Sequence, residues 1–414
     1  MARHHRPADG GLSVTGPSKP LSFAEFIALL ALLMATVAYS VDAMLPLIGI
    51  IGDELSPQSP ESAQLVITVF MVGLGMGTFV MGPLSDAFGR KSVILGGTLL
   101  YMTAAGIAAV SGDLTTLLIT RFLHGFGAAA PRIVAQAMVR DLYSGRMMAR
   151  VISFGMTVFT LFPAVAPFMG AELAELFHWR AIFWSFVVFG FVTILWLGLR
   201  QPETLAPENR RKLAVGPLWE ALKTVLAHPR VRLCLMALTF NFSTMLTWLS
   251  SVARIFDESF GRLDQFPVWF AMVALVSAPA SLINARVVVK LGMRRMVGTA
   301  LSVQIVVITA TLLVFALNLP FAGFAFFMLF MFTQFFAIGF LVGNLNALAL
   351  EPMGHVAGMA ASVIGGVSTV LSALIATALA TLGDGTPVPL AAGVLFCILC
   401  ASGFMLWARR FSED

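Results

Sequence analysis

Apolar residues form long runs along most of the chain, and short polar stretches separate these runs. Each run is close in length to the ~20 residues that an α-helix needs to cross a hydrocarbon core about 30 Å thick. Such runs are longer than the strands of a membrane β-barrel. The pattern predicts an all-α membrane protein with twelve spans, at residues 23–48, 63–84, 92–110, 115–138, 150–172, 181–199, 231–253, 266–290, 297–317, 322–348, 357–380 and 388–408.

One long polar connection divides the twelve predicted spans into two sets of six. We expect a disordered cytoplasmic N-terminus, an N-terminal six-helix half, a cytoplasmic linker, a C-terminal six-helix half and a cytoplasmic tail, at residues 1–22, 23–199, 200–230, 231–408 and 409–414. Two halves of equal helix number are typical of transporters built as internal repeats around a central site. The short loop Gly82–Lys91 has its counterpart at Lys290–Arg295, which keeps a glycine followed by basic residues but lacks an acidic residue.

Lys and Arg are distributed unequally between the two ends of the predicted spans. Of the 26 basic residues, 20 lie in the termini and loops at one end, and three lie within spans. The loops at the other end carry the remaining three, Arg180, Arg254 and Arg262. Because cytoplasmic loops are enriched in Lys and Arg, we expect a multi-pass protein of the cell inner membrane with both termini cytoplasmic.

The composition excludes a soluble domain, because 58% of the residues are hydrophobic and 11% are charged, against about a quarter charged in soluble proteins. The three cysteines lie in apolar runs, without disulfide or metal-ligand spacing. The sequence has no phosphate-binding glycine loop and no paired catalytic carboxylates, which argues against an enzyme or an ATP-driven pump. The loops account for the basic charge, so we expect no nucleic-acid partner.

Six short motifs carry a family resemblance. They are Val41–Pro46, Gly82–Lys91, Arg121–Ala129, Val139–Tyr143, Pro163–Gly170 and Trp179–Phe183. Together they resemble the major facilitator superfamily, in the form of its drug/proton antiporters and of the bicyclomycin/chloramphenicol-resistance branch. The resemblance implies the major facilitator fold, with twelve transmembrane helices in two pseudo-symmetric six-helix halves. It also implies a proton gradient as the energy source, with no cofactor and no metal.

The loop Gly82–Lys91 and the end of the fourth span carry the predicted gate. The topology rule explains Arg90 but not the acidic Asp86, which an ion-pair network at the inner ends of the spans would explain. The resemblance implies that Asp86 faces the start of the eleventh span, where Gly354 and Gly358 permit close approach and the helix dipole favours an anion. The complete gating motif is Gly82, Asp86, Gly89, Arg90, Arg140 and Asp141.

Proton coupling is predicted at Asp42 and Arg121. Asp42 is the only acidic residue well inside a predicted span of the first half, where a carboxylate is costly unless it is protonated or paired. Its alternative role is a hydrogen bond that fixes a kink before Pro46. Arg121 resembles the fourth-helix arginine of the family, and its alternative role is a structural bond to backbone carbonyls. Tyr39 lies one turn before Asp42 on the same face, where it either forms a hydrogen bond with the carboxyl group or lines the substrate cavity.

Arg132 lies eleven residues after Arg121, so both side chains project to one side of a helix. It either forms a cationic cavity wall that favours anionic or zwitterionic cargo or extends to the cytoplasmic interface. In the second half, Asn241 and Trp248 either line the cavity or bind neighbouring helices.

The sequence as a whole predicts a monomeric antiporter in the lipid bilayer that exports small, largely apolar drugs or toxic compounds in exchange for protons by alternating access. The alternative is an exporter or importer of a specific metabolite or organic anion on the same fold. The resemblance assigns the fifth span an antiporter motif, Pro163, Pro167 and Gly170.

Overall fold

The computed structural model describes residues 21–143, 145–210, 215–317 and 323–411, which are helical and contain no β-strand. The first half contains α1 (Phe23–Asp42), α2 (Ile48–Leu55), α3 (Leu65–Phe88), α4 (Arg90–Ala109), α5 (Leu114–Leu142), α6 (Gly145–Phe177) and α7 (Ala181–Arg200). The remaining helices are α8 (Val215–Ala227), α9 (Pro229–Glu258), α10 (Phe266–Ser277), α11 (Pro279–Leu291), α12 (Met293–Ala316), α13 (Gly323–Leu350), α14 (Ala357–Ala380) and α15 (Pro387–Ala408). The predicted disordered N-terminus lies outside the described residues up to residue 20.

The prediction of an all-α membrane protein with twelve spans is confirmed. Ten segments of the described chain are long and apolar enough to cross a membrane, and α5 and α6 complete the set. Helices α1 and α2 together form the first span, and α10 and α11 together form the eighth. The structure also contains a helix that the sequence pattern did not predict. This helix, α8, lies within the predicted linker.

Two spans are interrupted where proline removes a backbone donor. Helix α1 ends at Asp42, a tight turn over Leu45–Leu47 contains Pro46, and α2 then continues the span. In the eighth span, Pro279 begins α11 directly after α10. Proline cannot donate the hydrogen bond that would continue the preceding helix. The first break therefore places Asp42 at a helix end in the interior of the bundle.

Gly89 and Gly292 make the same turn in the two halves. Gly89 joins α3 to α4 with a φ of 100° and a ψ of 152°, and Gly292 joins α11 to α12 with values of 80° and 151°. A positive φ is accessible to glycine at little cost but strains other residues. The two loops are thus structural counterparts, in agreement with the repeat predicted from their positions.

Glycines allow helix backbones to approach each other closely in the first half. A Cβ atom at Gly125 would lie 2.0 Å from the carbonyl oxygen of Phe70, and one at Gly73 would lie 2.1 Å from that of Phe122. Such close approach of α3 and α5 is typical of membrane helices that pack through small residues. It brings the polar side chains of α5 within reach of α1 and α3.

The two halves meet where α14 lies along α3. Thr377 Oγ1 donates to Thr68 Oγ1 at 3.0 Å near one end of this contact. Near the other end, a Cβ atom at Gly82 would lie 3.3 Å from Ser362 Oγ. Gly82, one of the predicted gating residues, therefore lies at the contact between the halves.

Candidate functional site

Arg121 is completely buried in the first half and connects three helices. Its Nε donates to the carbonyl oxygen of Val66 at 3.1 Å, and its Nη2 donates to that of Ser40 at 3.1 Å. Its guanidinium carbon lies 4.3 Å from the ring centroid of Phe70. Arg121 has no carboxylate partner among the described residues, so backbone carbonyls and an aromatic face surround its charge.

His124 extends this cluster towards α4. Its Nδ1 lies 2.8 Å from Arg121 Nη1, so it accepts a hydrogen bond from the guanidinium. The His124 ring lies 4.1 Å from the ring of Tyr101, and the Tyr101 hydroxyl lies 2.9 Å from Ser40 Oγ. Arg121, His124, Tyr101 and Ser40 thus form a closed polar cluster, which we call the Arg121 cluster. Arg121 and Tyr101 both contact Ser40, so the cluster is attached to α1 at two atoms of one residue.

The sequence did not predict Tyr101 and Ser40 as members of this site. Ser40 and Tyr101 are 61 positions apart, and nothing in the local pattern indicates that they meet. A usable signal was the rarity of tyrosine, since the chain has three tyrosines and Tyr101 lies within an apolar span.

Asp42 lies two residues after Ser40 and is buried, with 5% of its surface exposed. Its carboxyl group has no hydrogen-bond or ion-pair partner among the residues that the structure describes. The helix break follows it directly, and Gly170 of α6 packs against this break: a Cβ at Gly170 would lie 2.0 Å from the carbonyl oxygen of Ala43. The predicted antiporter motif and the predicted proton carrier therefore meet at one point.

Pro163, Pro167 and Gly170 follow each other at intervals of four and three residues, which places them on one face of α6. Both prolines lie inside α6, which continues through them from Gly145 to Phe177. Gly170 contacts the break in α1, so this face of α6 is the one that packs on the first span.

Tyr39 and Arg132, the other two candidates of the first half, differ in their surroundings. Tyr39 is 2% exposed, and its hydroxyl lies 2.7 Å from Ser185 Oγ of α7. Its ring packs against Phe186 of α7 with the centroids 5.0 Å apart. Arg132 is partly buried on α5, which continues through it without interruption. Arg132 has no hydrogen bond or ion pair with any described residue.

Asn241 and Trp248 belong to a buried polar face of α9. Gln334 Nε2 of α13 donates to Thr244 Oγ1 on this face, and Trp248 packs against Phe330 with the ring centroids 4.7 Å apart. Both side-chain polar atoms of Asn241, the indole N–H of Trp248 and Gln334 Oε1 have no hydrogen-bond partner in the described part of the chain. Buried polar groups normally have a partner, so this face can bind polar groups of a ligand.

A cavity of about 560 Å³ opens between the two halves at the end of the bundle that carries Asp53. Its wall includes Leu45 and Pro46, the residues of the α1 break that follow Asp42. Its charged lining residues are Asp53, Glu61, Arg254, Asp257 and Glu258. The acidic excess makes this cavity attractive to cations. We call it the acidic vestibule.

The predicted gating residues lie at the opposite end of the bundle, which we call the basic end. Arg90 is 7% exposed and donates from Nε to Asp141 Oδ2 at 3.0 Å and from Nη1 to Ser85 Oγ at 2.8 Å. Its Nη1 also forms an ion pair with Asp86. Arg140 is exposed and joins no ion pair among the described residues. Arg90 thus connects the ends of α3, α4 and α5.

Glu203, after α7, completes this network, although the sequence did not predict it. Its carboxylate accepts the backbone N–H of Arg90 at 2.9 Å and that of Lys91 at 3.1 Å. It therefore caps the start of α4, where the helix dipole favours an anion. Gly89 leaves room for it, because a Cβ there would lie 2.4 Å from Glu203 Oε2. We call Asp86, Arg90, Asp141 and Glu203 the basic-end network.

Among the described residues, Asp86 has no contact with Gly358 at the start of the eleventh span, and the side chains of residues 354–357, which include the expected Gly354, lie outside the described part of the chain. Gly358 of α14 faces open space, with no atom within 4 Å of a Cβ placed there. The Asp86 side chain is 43% exposed and pairs with Arg90. The close approach of α3 and α14 begins one turn further into the bundle, where Gly82 meets Ser362.

At the acidic-vestibule end, Glu54 of α2 accepts a hydrogen bond from the indole Nε1 of Trp179 at 2.6 Å and pairs with Arg180. Arg180 Nη2 also donates to the carbonyl oxygen of Ser111 at 2.9 Å. The predicted motif Trp179–Phe183 is thereby connected to α2. Glu54 is a further residue that the sequence pattern did not single out.

Comparisons with known proteins agree with this architecture. The model of the Major Facilitator Superfamily matches residues 27–377. A bicyclomycin resistance protein homolog of Haemophilus influenzae is 30% identical over 90% of this chain and 93% of its own length. A chloramphenicol resistance protein of Pseudomonas aeruginosa is 32% identical over 49% of this chain and 47% of its own.

Solved transporters share the fold. The D-xylose-proton symporter superimposes with a TM-score of 0.75 and 13% identity, covering 94% of this chain and 98% of its own. The human organic anion transporter MFSD10 gives a TM-score of 0.69 and 17% identity, covering 93% of this chain and 98% of its own. The predicted fold of two pseudo-symmetric six-helix halves is confirmed, and the chain is a membrane transporter that belongs to the Major Facilitator Superfamily.

Proposed function

We propose that this protein exports small, largely apolar toxic compounds across the cell inner membrane in exchange for protons. The observation that carries the proposal is the position of Asp42. Its carboxyl group is buried without a partner among the described residues, at a helix break that the α6 motif contacts. Burying an ionisable group inside a membrane bundle costs free energy, and such a group typically marks a proton or substrate pathway.

The proton would be carried by the Asp42 carboxyl. The protonated form is neutral and needs no counter-charge, whereas the ionised form would be favoured by a nearby cation. Arg121 is bound to the carbonyl oxygen of Ser40, two residues away. Loss of the proton would therefore pull on α5 through Arg121, or draw cationic cargo to Asp42.

The acidic vestibule supports a route for protons to this carboxyl. Its wall includes Leu45 and Pro46, which follow Asp42 in the broken first span. Its acidic residues would raise the local concentration of protons and cations. We propose that the vestibule faces the outside of the cell, because the outer loops carry three of the 26 basic residues.

The basic-end network would then control the cytoplasmic mouth. Arg90 joins Asp86 and Asp141, and Glu203 caps the helix that Arg90 begins. These interactions connect the inner ends of α3, α4 and α5 to the start of the linker. Breaking them would let the ends separate when the halves rock about the central site.

The cargo class rests on the relatives and on the polar face of α9. The names of two relatives, a bicyclomycin resistance protein homolog and a chloramphenicol resistance protein, favour small toxic compounds. Asn241 and Trp248 have polar atoms without a partner among the described residues, and the Trp248 ring packs against the rings of Phe327 and Phe330. A mostly apolar site with few polar groups suits such compounds.

The test is efflux of chloramphenicol from proteoliposomes against its gradient, driven by an imposed proton gradient. Asp42→Asn keeps the shape of the side chain but cannot release a proton, so uphill transport should cease while exchange of cargo down its gradient persists. Asp113→Asn is the matched control, because Asp113 caps α5 at an exposed position and Asn caps equally well. Unchanged uphill transport in Asp42→Asn would refute the proton role.

A second candidate function is transport of a specific organic anion or metabolite. Arg132 favours it, because this partly buried guanidinium has no partner among the described residues. Arg132→Ser should abolish transport of a fluorescein anion but retain that of ethidium if Arg132 binds cargo. Equal transport of both probes by wild type and variant would instead favour an interfacial role for Arg132.

A further inference from the structure

The second half contains a basic cavity that is separate from the acidic vestibule. It has a volume of about 720 Å³ and is lined by residues of α9, α11, α12, α13 and α15, all from one half of the molecule. The acidic vestibule, by contrast, lies between the halves. Four arginines line the cavity: Arg230, Arg294, Arg295 and Arg409. We call it the arginine pocket.

Among the described residues, the guanidinium groups of Arg294 and Arg295 in the pocket face no carboxylate. Glu351 forms an ion pair with Arg230, and none of the residues that line the pocket is acidic. Arg294 is partly buried and Arg295 is exposed, and neither has a hydrogen bond or ion pair with a described residue. The pocket therefore has uncompensated guanidinium groups that an anion from outside the chain can bind.

The repeat explains why this charge is uncompensated. Gly89 and Gly292 occupy equivalent turns, so the position of Asp86, three residues before Gly89, corresponds to Val289. Val289 is 85% exposed and has no charge. In the first half, Asp86, Asp141 and Glu203 surround the loop arginine. In the second half, the acidic residue of the turn is missing and two adjacent arginines follow the glycine.

Apolar side chains form the rest of the pocket and continue onto the outer surface of the bundle. Leu291 is 47% exposed, Val303 is 50% exposed and Leu406 is 58% exposed, and all three line the pocket. In a membrane protein such exposed apolar surface is in contact with lipid chains. A ligand that fits both features has an anionic head for the guanidinium groups and a hydrocarbon tail for this surface.

We propose that the arginine pocket binds the phosphate head group of an anionic phospholipid, with an acyl chain lying against Leu291, Val303 and Leu406. Basic pockets between membrane helices bind lipid head groups of this chemistry, because basic residues near the bilayer surface attract anionic lipids. The site lies in one half and does not depend on proton coupling, so it stands or falls separately from the proposed function.

The test measures lipid binding by the full chain, purified in neutral detergent, with native mass spectrometry. Wild-type protein should bind phosphatidylglycerol in preference to phosphatidylcholine. The double variant Arg294→Gln, Arg295→Gln should bind phosphatidylglycerol more than about tenfold more weakly. Arg232→Gln is the matched control, because Arg232 is exposed on α9 and does not line the pocket. It should bind phosphatidylglycerol as the wild type does.

Two further measurements distinguish lipid binding from loss of folding and from binding of free phosphate. The variant Arg294→Lys, Arg295→Lys keeps the charge and should retain most of the preference, which separates lost binding from lost folding. Inorganic phosphate at millimolar concentration should not compete with phosphatidylglycerol, since it has no acyl chain. Equal binding of the two lipids, equal weakening by Arg232→Gln, or full competition by phosphate would each overturn the proposal.

Discussion

The contact between α6 and the break in α1 can be tested by adding one methyl group. In Gly170→Ala, the new Cβ atom would lie 2.0 Å from the carbonyl oxygen and 2.9 Å from the carbonyl carbon of Ala43. Both atoms belong to the backbone, so no side-chain rotation can relieve the clash. The helices must separate by about 1 Å, and overpacking of this kind typically costs ~1–3 kcal/mol.

This shift would occur next to Asp42, the end of α1. We therefore expect Gly170→Ala to lower the midpoint of thermal unfolding and to impair proton-driven efflux more strongly than exchange of cargo. The two readouts are thermal unfolding in detergent and chloramphenicol transport in proteoliposomes, measured on the same preparation. A loss of stability alone, with transport intact, would mean that the contact is merely structural.

Gly96→Ala is the matched control for this substitution. Gly96 lies inside α4, and a Cβ atom there would have no neighbour within 4 Å. Alanine is the better helix former, so stability and transport should be equal to or better than those of the wild type. The reasoning is refuted if Gly170→Ala behaves like Gly96→Ala in both measurements.

Two other substitutions test networks that were visible only in the structure. Glu203→Ala removes the cap on α4, so hydrogen exchange of the Arg90 and Lys91 amides should accelerate about tenfold, whereas Glu208→Ala at an exposed position of the linker should leave it unchanged. Tyr101→Phe removes the hydroxyl contact with Ser40 but keeps the ring, so thermal stability should fall by about 0.5–1.5 kcal/mol. Tyr143→Phe should have no such effect; an equal loss there would contradict the assigned contact.

The sequence was sufficient for the fold because the signals for membrane helices are local. Long apolar runs and charged loops predicted all twelve spans, since a span must satisfy its backbone hydrogen bonds within itself. The breaks and the linker helix were harder. Pro46 indicated a kink but not that α1 ends at Asp42, and α8, with 13 residues, is too short to be recognised as a span.

The candidate site was predictable only in part, because its partners are distant in sequence. Asp42 and Arg121 were recognisable as charges inside apolar runs. Glu203 was not recognisable, because it lies in a loop and binds the backbone N–H of Arg90, which is 113 positions away in the sequence. Tyr39 illustrates the opposite problem: its spacing places it near Asp42 along the helix, but its hydroxyl is directed to Ser185 of α7.

The first span is contacted by Arg121, Tyr101 and Gly170 close to Asp42. Arg121 holds it at the carbonyl oxygen of Ser40, Tyr101 holds it at the Ser40 side chain, and Gly170 presses on the carbonyl group of Ala43. Asp42 lies between these contacts. A change in its charge would therefore act on α4, α5 and α6 together, because all three contact the chain within two residues of Asp42. A carboxyl group further along α1 would lack this leverage, which is why we expect proton binding at Asp42, rather than at the exposed acidic residues of the vestibule, to move the halves.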